Sequence, residues 1–250
     1  GIEIGTGAWA WGDRMIWNFG NGYGEKDVRE VFDAAVVNGA TFFDTAEVYG
    51  QGKSETLLGQ MIKETGASVK IATKMMPFPW RLGKKALRNA LQGSLRRLQF
   101  NSVDLYQMHW PLKPVSIETW MNRMADLLDE GLIKAAGVSN YDLEKTQIAH
   151  NTLQKRGYQL ASNQVEYSLL DRRIEKNGVL QRANELGIRI ISYSPLAKGI
   201  LTGKYSSENP PPGVRGRQYS GILKEVQPLL RLMTEIGQDL GGKTSAQIAL

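Results

Sequence analysis

Short β-rich apolar runs alternate with amphipathic stretches of helical spacing along the whole chain, and this alternation restricts the fold more than any other feature. Seven runs read as strands, over residues 2–9, 41–43, 69–73, 103–108, 133–138, 159–165 and 188–193. Helical patterns lie between them over 28–37, 54–64, 84–98, 117–128, 143–154 and 175–186, and another over 224–240 follows the last. A strand followed by a helix and then another strand builds a parallel sheet, whose strands are apolar throughout because helices cover the sheet. Two architectures satisfy this pattern, an open doubly wound sheet and a closed eight-fold barrel.

The barrel is favoured. No G-x-G-x-x-G follows the first strand, as a dinucleotide-binding open sheet would want, and the unit recurs about every 30 residues with no reset in mid-chain. A length of 250 residues suits one such barrel. The expected fold is therefore α/β, a (β/α)8 TIM barrel over residues 1–250 as a single domain, with the eighth strand absent from the sequence given. Residues 206–221, with Pro210-Pro211-Pro212-Gly213 and two arginines, read as a long loop after the seventh strand.

Composition removes several chemistries. The absence of cysteine excludes disulfide frameworks, cysteine-ligated zinc, iron–sulfur clusters and thiol nucleophiles. Thirty-one basic against 25 acidic residues give a net charge of +6, but they are scattered, which argues against nucleic acid and for a small anionic partner such as a phosphorylated cofactor. No run approaches roughly 18 uninterrupted apolar residues, so no membrane helix is expected. Gly1-Ile2-Glu3-Ile4-Gly5 does not read as a signal peptide, and a cytoplasmic location is expected, or the plastid stroma if a leader has been removed.

In a barrel of this kind chemistry gathers at the C-terminal ends of the strands. The second strand here ends in Asp44, the third in Lys74, the fourth in His109, the fifth in Ser139-Asn140, the sixth in Gln164 and the seventh in Tyr193-Ser194. Singly, each has an ordinary explanation as a cap or a solvated strand end; together they aim polar groups at one rim. One rim histidine and one aspartate fall short of a metal-ligand set, so no metal is expected, and His150 lies in an ordinary amphipathic helix. A lysine beside a tyrosine stabilises the tyrosinate and makes the phenol a better proton donor near neutral pH, and a carboxylate keeps that lysine charged. Tyr49, five residues beyond Asp44, is within reach of the rim. Trp11, Trp17, Trp80 and Trp110 fall in predicted loops and suggest an aromatic-walled pocket, with core packing as the alternative for one or two of them.

Phe43-Asp44-Thr45-Ala46-Glu47-Val48-Tyr49-Gly50, followed by Gly52-Lys53-Ser54-Glu55, resembles the signature of the aldo-keto reductase superfamily. Ala72-Thr73-Lys74, Leu105 to His109, Gly137-Val138-Ser139-Asn140, Asn163 to Tyr167 and Tyr193-Ser194-Pro195-Leu196 continue the resemblance in order. It implies a barrel that binds NADPH without a Rossmann fold and reduces small-molecule aldehydes or ketones to alcohols. By the resemblance, Tyr49 is the general acid, Lys74 lowers its pKa, Asp44 pairs with Lys74, and His109 orients the carbonyl. Ser139, Asn140 and Gln164 would hold the nicotinamide carboxamide, Tyr193 would stack on the ring, and Ser194, Pro195, Leu196 and Gly199 would approach the pyrophosphate. Lys204 and Arg215 would meet phosphates, and Trp9 would complete the cofactor-binding set.

The family pattern also includes an opening β-hairpin and an eighth strand whose loop grips the adenosine phosphate, and neither is found in these residues. The cytoplasmic β subunits of voltage-gated potassium channels share the same signature, so a nicotinamide-binding regulatory subunit with little turnover is the alternative; those subunits lack the histidine that stands here as His109. A Schiff-base reaction at Lys74 is a third reading, but it leaves Tyr49 and the carboxamide set without a role.

Overall fold

In a computed structural model, residues 3–211 and 214–250 are described, apart from the side chains of 214, 215 and 218. The elements run β1 (Gly5–Gly7), α1 (Glu25–Val37), β2 (Phe42–Asp44), a 3-10 turn (Tyr49–Gly52), α2 (Lys53–Thr65), β3 (Lys70–Met75), α3 (Ala86–Leu98), β4 (Leu105–Met108), α4 (Ile117–Asp129), β5 (Ala136–Ser139), α5 (Leu143–Gln154) and β6 (Leu160–Glu166). They continue with α6 (Arg173–Lys176), α7 (Val179–Glu185), β7 (Arg189–Tyr193), a second 3-10 turn (Ala197–Thr202), α8 (Val214–Glu225), α9 (Gln227–Asp239) and α10 (Ser245–Ala249). The seven strands form one sheet in the order β1-β2-β3-β4-β5-β6-β7, and the registers from β1 through β6 are parallel. Sequential order with a helix after each strand is the architecture of the (β/α)8 barrel. Among the described residues there is no eighth strand.

Helix ends follow their caps. Ser116 accepts from the Thr119 amide at the start of α4, and Asp142 accepts from the Lys145 amide at the start of α5, each satisfying a donor that the first turn leaves open. Three sequence expectations need correction. The helix expected over 175–186 is two, because Gly178 in the left-handed region (φ 82°) separates α6 from α7. The long loop expected over 206–221 ends at α8, which occupies Val214–Glu225; residues 212 and 213 lie outside the described set. The helix expected over 224–240 begins only at Gln227, where Pro228 fits the first turn and lacks the N–H needed inside a continuous helix. The separate α10 was not foreseen; Gly241 and Gly242, both with positive φ, end α9, and a reciprocal Thr244–Gln247 capping box starts α10.

The chain divides into two compact units, Gly1–Gln164 with Gln181–Ile191, and Val165–Leu180 with Ser192–Leu250. In the first, Phe32 and Phe43 pack at 5.1 Å between β2 and α1, with Tyr106, Leu58, Leu91 and Met124 among the buried core side chains. Each fully buried apolar side chain of this size contributes about 1.5–3 kcal/mol, so the layer between sheet and helices holds the strand ends in place. In the second, Ile200 and Leu201 of the 3-10 turn pack with Leu223, Val226, Leu230 and Met233 from the α8–α9 region.

Candidate active site

Strand register assembles the site. Lys74 is the Cα partner of Gln107, Gln107 of Gly137, and Gly137 of Ser162; Ser139 likewise pairs with Gln164, and Asp44 with Gly7 and Ala72. Side chains alternate along a strand, so Gln107 on β4 and His109, one residue past its end with its amide bonded to the Met75 carbonyl, share one face, as Ser162 and Gln164 do on β6.

Lys74 is fully buried. Its Nζ donates to Asp44 Oδ2 at 2.5 Å, to the Thr45 carbonyl at 2.9 Å and to the Tyr49 hydroxyl at 3.4 Å. Three oxygens therefore occupy the three N–H directions of the ammonium, which is what burial of that charge requires. The other oxygen of Asp44, Oδ1, accepts from Gln164 Nε2 at 2.8 Å and Gln107 Nε2 at 3.2 Å. Burial works to lower the Lys74 pKa, but the charge of Asp44 and the hydrogen bonds around Nζ outweigh it and hold it above the usual lysine value.

Burial pushes the Tyr49 phenol up, the positive charge and hydrogen bond of Lys74 pull it down, and Asp44 pushes it up again; the net direction is upward. The expected pull of Lys74 is thus present, and desolvation exceeds it. Burial, with a smaller contribution from Lys74, drives His109 down to about 3, so its ring is neutral at physiological pH. His109 Nδ1 is buried with no partner among the described residues. The His109 ring lies edge-on to Tyr49 at 5.6 Å, and Trp9 stacks on Tyr49 at 6.0 Å with Trp17 edge-on behind it.

The turn that carries Tyr49 is built from left-handed backbone at Gly50 (φ 54°), Gln51 (φ 56°) and Gly52 (φ 91°). Glycine is required twice: a Cβ on Gly50 would sit 2.7 Å from the Gly12 carbonyl, and one on Gly52 would sit 2.6 Å from Arg97 Cδ. Polar contacts fix the flanks. Ser54 Oγ donates to the Ala8 carbonyl and meets Thr45 Oγ1, each at 2.8 Å. Glu47 accepts from the Met76 amide at 2.8 Å and pairs with Arg81. Glu55, fully buried, accepts from Thr73 Oγ1 at 2.6 Å and from Arg97 Nε at 2.7 Å.

The carboxamide candidates meet at the ends of β5 and β6. Ser139 Oγ donates to the Gln164 carbonyl at 2.9 Å, while Asn140, in the left-handed region at φ 61°, donates from Nδ2 to the His109 carbonyl at 3.1 Å and to Ser139 Oγ at 3.0 Å. In the second unit, Ser194, Ala197, Lys198 and Gly199 all have positive φ within one short loop after β7. Such runs turn successive backbone N–H groups into a concave anion cradle, and strain of this kind gathers at functional sites. Lys204 is exposed, with Nζ 5.7 Å from the Tyr205 ring. Tyr193 ends β7, its carbonyl accepting from the Tyr167 amide at 3.4 Å. The side chain of Arg215 lies outside the described residues. In the first unit, an amide-and-hydroxyl pocket beside a buried lysine–tyrosine pair has the donors and acceptors that a carboxamide requires.

The structure therefore brings Trp9, Asp44, Tyr49, Lys74, His109, Ser139, Asn140 and Gln164 into one unit, and places Tyr193, Ser194, Pro195, Leu196, Gly199, Lys204 and Arg215 in the other. Of the four tryptophans in predicted loops, Trp11 is buried against Phe43 at 6.1 Å and belongs to the core, whereas Trp80 is exposed and stacks on Phe78. Two groups escaped sequence reasoning. Gln107 stands inside an apolar run, and only its two-residue spacing from His109 signals its face. The Glu55–Arg97 pair spans 42 positions, beyond the reach of local pattern.

The model of the Aldo/keto reductase family matches residues 3–250. The chain is 38% identical over 260 residues to the chloroplastic pyridoxal reductase of Arabidopsis thaliana, covering 99% of this chain and 71% of that protein. Among solved structures, it is similar to an aldo-keto reductase from Klebsiella pneumoniae in complex with NADPH, with a TM-score of 0.68 and 32% identity over 79% of this chain and 65% of that one. It is also similar to the glycerol dehydrogenase from Gluconobacter oxydans, with a TM-score of 0.82 and 27% identity over 99% of this chain and 77% of that one. It thus spans between 65% and 77% of the length of these proteins. The fold and the family match define a class, the aldo/keto reductases built on a (β/α)8 barrel. This chain belongs to the aldo/keto reductase family. No helix among the described residues is long and apolar enough to cross a membrane.

Proposed function

We propose that this chain reduces aldehydes or ketones to alcohols, with Tyr49 as the proton donor. The observation that carries this reading is the buried Lys74 ammonium, 2.5 Å from Asp44 Oδ2 and 3.4 Å from the Tyr49 hydroxyl. When bound, NADPH supplies the hydride that adds to the carbonyl carbon. Tyr49 and the Nε2–H of His109 donate hydrogen bonds to the carbonyl oxygen; neutral His109 orients it without competing for the proton. As negative charge develops on that oxygen, the phenolic proton moves to it and the tyrosinate is stabilised by Lys74, whose own charge Asp44 maintains.

Ser139, Asn140 and Gln164 would hold the carboxamide, with Trp9 and Tyr193 against the ring system. The strained loop through Ser194, Pro195, Leu196 and Gly199, with Lys204 and Arg215, would meet the phosphates. The aromatic rings at Trp9 and Trp17 suit flat or apolar carbonyl compounds, and pyridoxal, named for one relative, is a natural first candidate. Nothing in this chemistry calls for a membrane; the cytoplasm fits it, as does the plastid stroma. The test is to follow cofactor absorbance while NADPH is mixed with the protein and a panel of pyridoxal, aromatic aldehydes, aliphatic aldehydes and ketones. NADPH consumption with at least one class is the expected result, and NADPH binding with no consumption across the panel would overturn the proposal.

A further inference from the structure

We infer that Gln107 is a positioning residue of the proton-donor site, holding one oxygen of Asp44 so that the other is presented to Lys74. The inference rests on the proposed reaction and assigns a role to a side chain on a strand otherwise apolar between Leu105 and Met108.

Four observations meet at this residue. Gln107 is fully buried and bonded through Nε2 alone, its Oε1 having no partner among the described residues, so the contact with Asp44 is what offsets the burial of this amide. Its Nε2 lies 3.2 Å from Asp44 Oδ1, and because a carboxylate only accepts, the nitrogen must be the atom facing it. Its backbone position is locked beside Lys74 by the β3–β4 register, so the two side chains that contact Asp44 from these strands start as neighbours. Its other neighbour is Gly137, and this glycine gives it room: a Cβ there would sit 3.0 Å from Gln107 Cγ and 2.5 Å from Ser162 Oγ.

The second donor to Oδ1 is Gln164, one of the proposed carboxamide ligands. An amide with two tasks is a poor sole anchor for Asp44. Gln107 is too deep on β4, two residues before His109, to serve a bound ligand directly, which leaves Asp44 as its task. Two amide donors on Oδ1 draw charge toward that oxygen, and Oδ2 then neutralises Lys74 less completely. The Lys74 ammonium keeps more of its field for the Tyr49 hydroxyl. The charged and titratable groups facing the phenol are Lys74, Asp44 and the neutral His109.

Gln107→Leu removes the donor and nearly preserves volume; Gln107→Glu replaces it with a group that donates only while protonated. Two readouts apply to both. The first is the ionisation of Tyr49, taken as the difference in tyrosinate absorbance between each protein and its Tyr49→Phe counterpart, which needs no turnover. The second is the pH dependence of single-turnover reduction. The leucine variant is expected to ionise Tyr49 about half a pH unit or more higher, a fraction of what one hydrogen bond to a charged group is worth, and to lose roughly tenfold in kcat with cofactor affinity unchanged. The glutamate variant is expected to retain activity at low pH and to lose it through a new ionisation. If the leucine variant does not fold, that new ionisation decides the matter alone. An unmoved Tyr49 titration and an unaltered pH profile would overturn the inference. Failure of the wild-type protein to reduce any carbonyl would instead count against the proposed reaction, and the Tyr49 titration would still decide the role of Gln107.

Discussion

Lys74 faces Tyr49 in two ways, with its Nζ 3.4 Å from the hydroxyl and 4.9 Å from the centroid of the ring. One cation thus acts on the oxygen that must carry charge and on the π-face that spreads it. Burial pushes the phenol up, so in the proposed reaction Tyr49 would hold its proton until the carbonyl oxygen takes up charge.

Tyr49→Phe deletes only the hydroxyl. Cofactor affinity should stay near that of the wild type, while the rate of carbonyl reduction should fall about 10²–10⁴-fold, the usual worth of a positioned acid. Stopped-flow measurement of NADPH oxidation checks this, and an unchanged rate would detach Tyr49 from the proton transfer.

Lys74→Met removes the charge that pulls the Tyr49 phenol down, so burial and Asp44 act unopposed and its pKa should rise further. Activity remaining in this variant should have its pH profile displaced to higher pH. The same variant leaves Asp44 beneath the site without its cation, so a lower Tm is expected alongside the kinetic change.

The depressed pKa of His109 makes a stability prediction. In the folded protein the ring titrates near 3, against about 6.5 in an unfolded chain. Between those values the unfolded chain binds more protons, so stability is fully present above pH 6.5 and is lost as pH falls toward 3, at up to about 1.4 kcal/mol per pH unit. Urea unfolding at pH 7 and pH 5 should show a smaller difference for His109→Gln than for the wild type. An equal difference would mean that this ring does not govern the acid limb.

Glu55 and Arg97 form an asymmetric pair, the carboxylate fully buried and the guanidinium 32% exposed along its side chain. Arg97→Met should cost about 3 kcal/mol, because it strands a buried charge. Glu55→Gln should cost less, since the amide oxygen can still accept from Thr73 Oγ1. Because Arg97 packs beside Gly52, the arginine variant should also slow catalysis through a loosened Tyr49 turn. Equal costs for the two variants would show that charge burial is not what the pair relieves.

The sheet and the rim were legible in the sequence because strand, helix and polar strand end repeat with one period, and a parallel sheet offers few ways to satisfy it. Asp44, Lys74, Tyr49 and His109 were legible for the same reason, being the polar residues at or just beyond apolar runs. Gln107 was not, since a lone amide within an apolar strand gains meaning only when register sets it beside Lys74 and across from Asp44. Helix α8 was hidden by the run of prolines that reads as loop, although Val214–Glu225 is helical. Which of the four loop tryptophans is core was not legible, because loop membership alone cannot say which ring turns inward, as Trp11 does onto Phe43.

The row Lys74, Gln107, Gly137 and Ser162 bears on how this catalyst can be diversified. Its members are strand neighbours, and Gly137 leaves no room for a Cβ between Gln107 and Ser162, so a library that varies them would mostly disturb the support of the buried Lys74–Asp44 pair. Around the rim the surface is permissive: Met15 is 88% exposed, Trp80 73% and Trp110 42%, and none of them belongs to that row. New substrate scope should accordingly be selected from the loops that carry these three residues, with the polar layer beneath inherited intact.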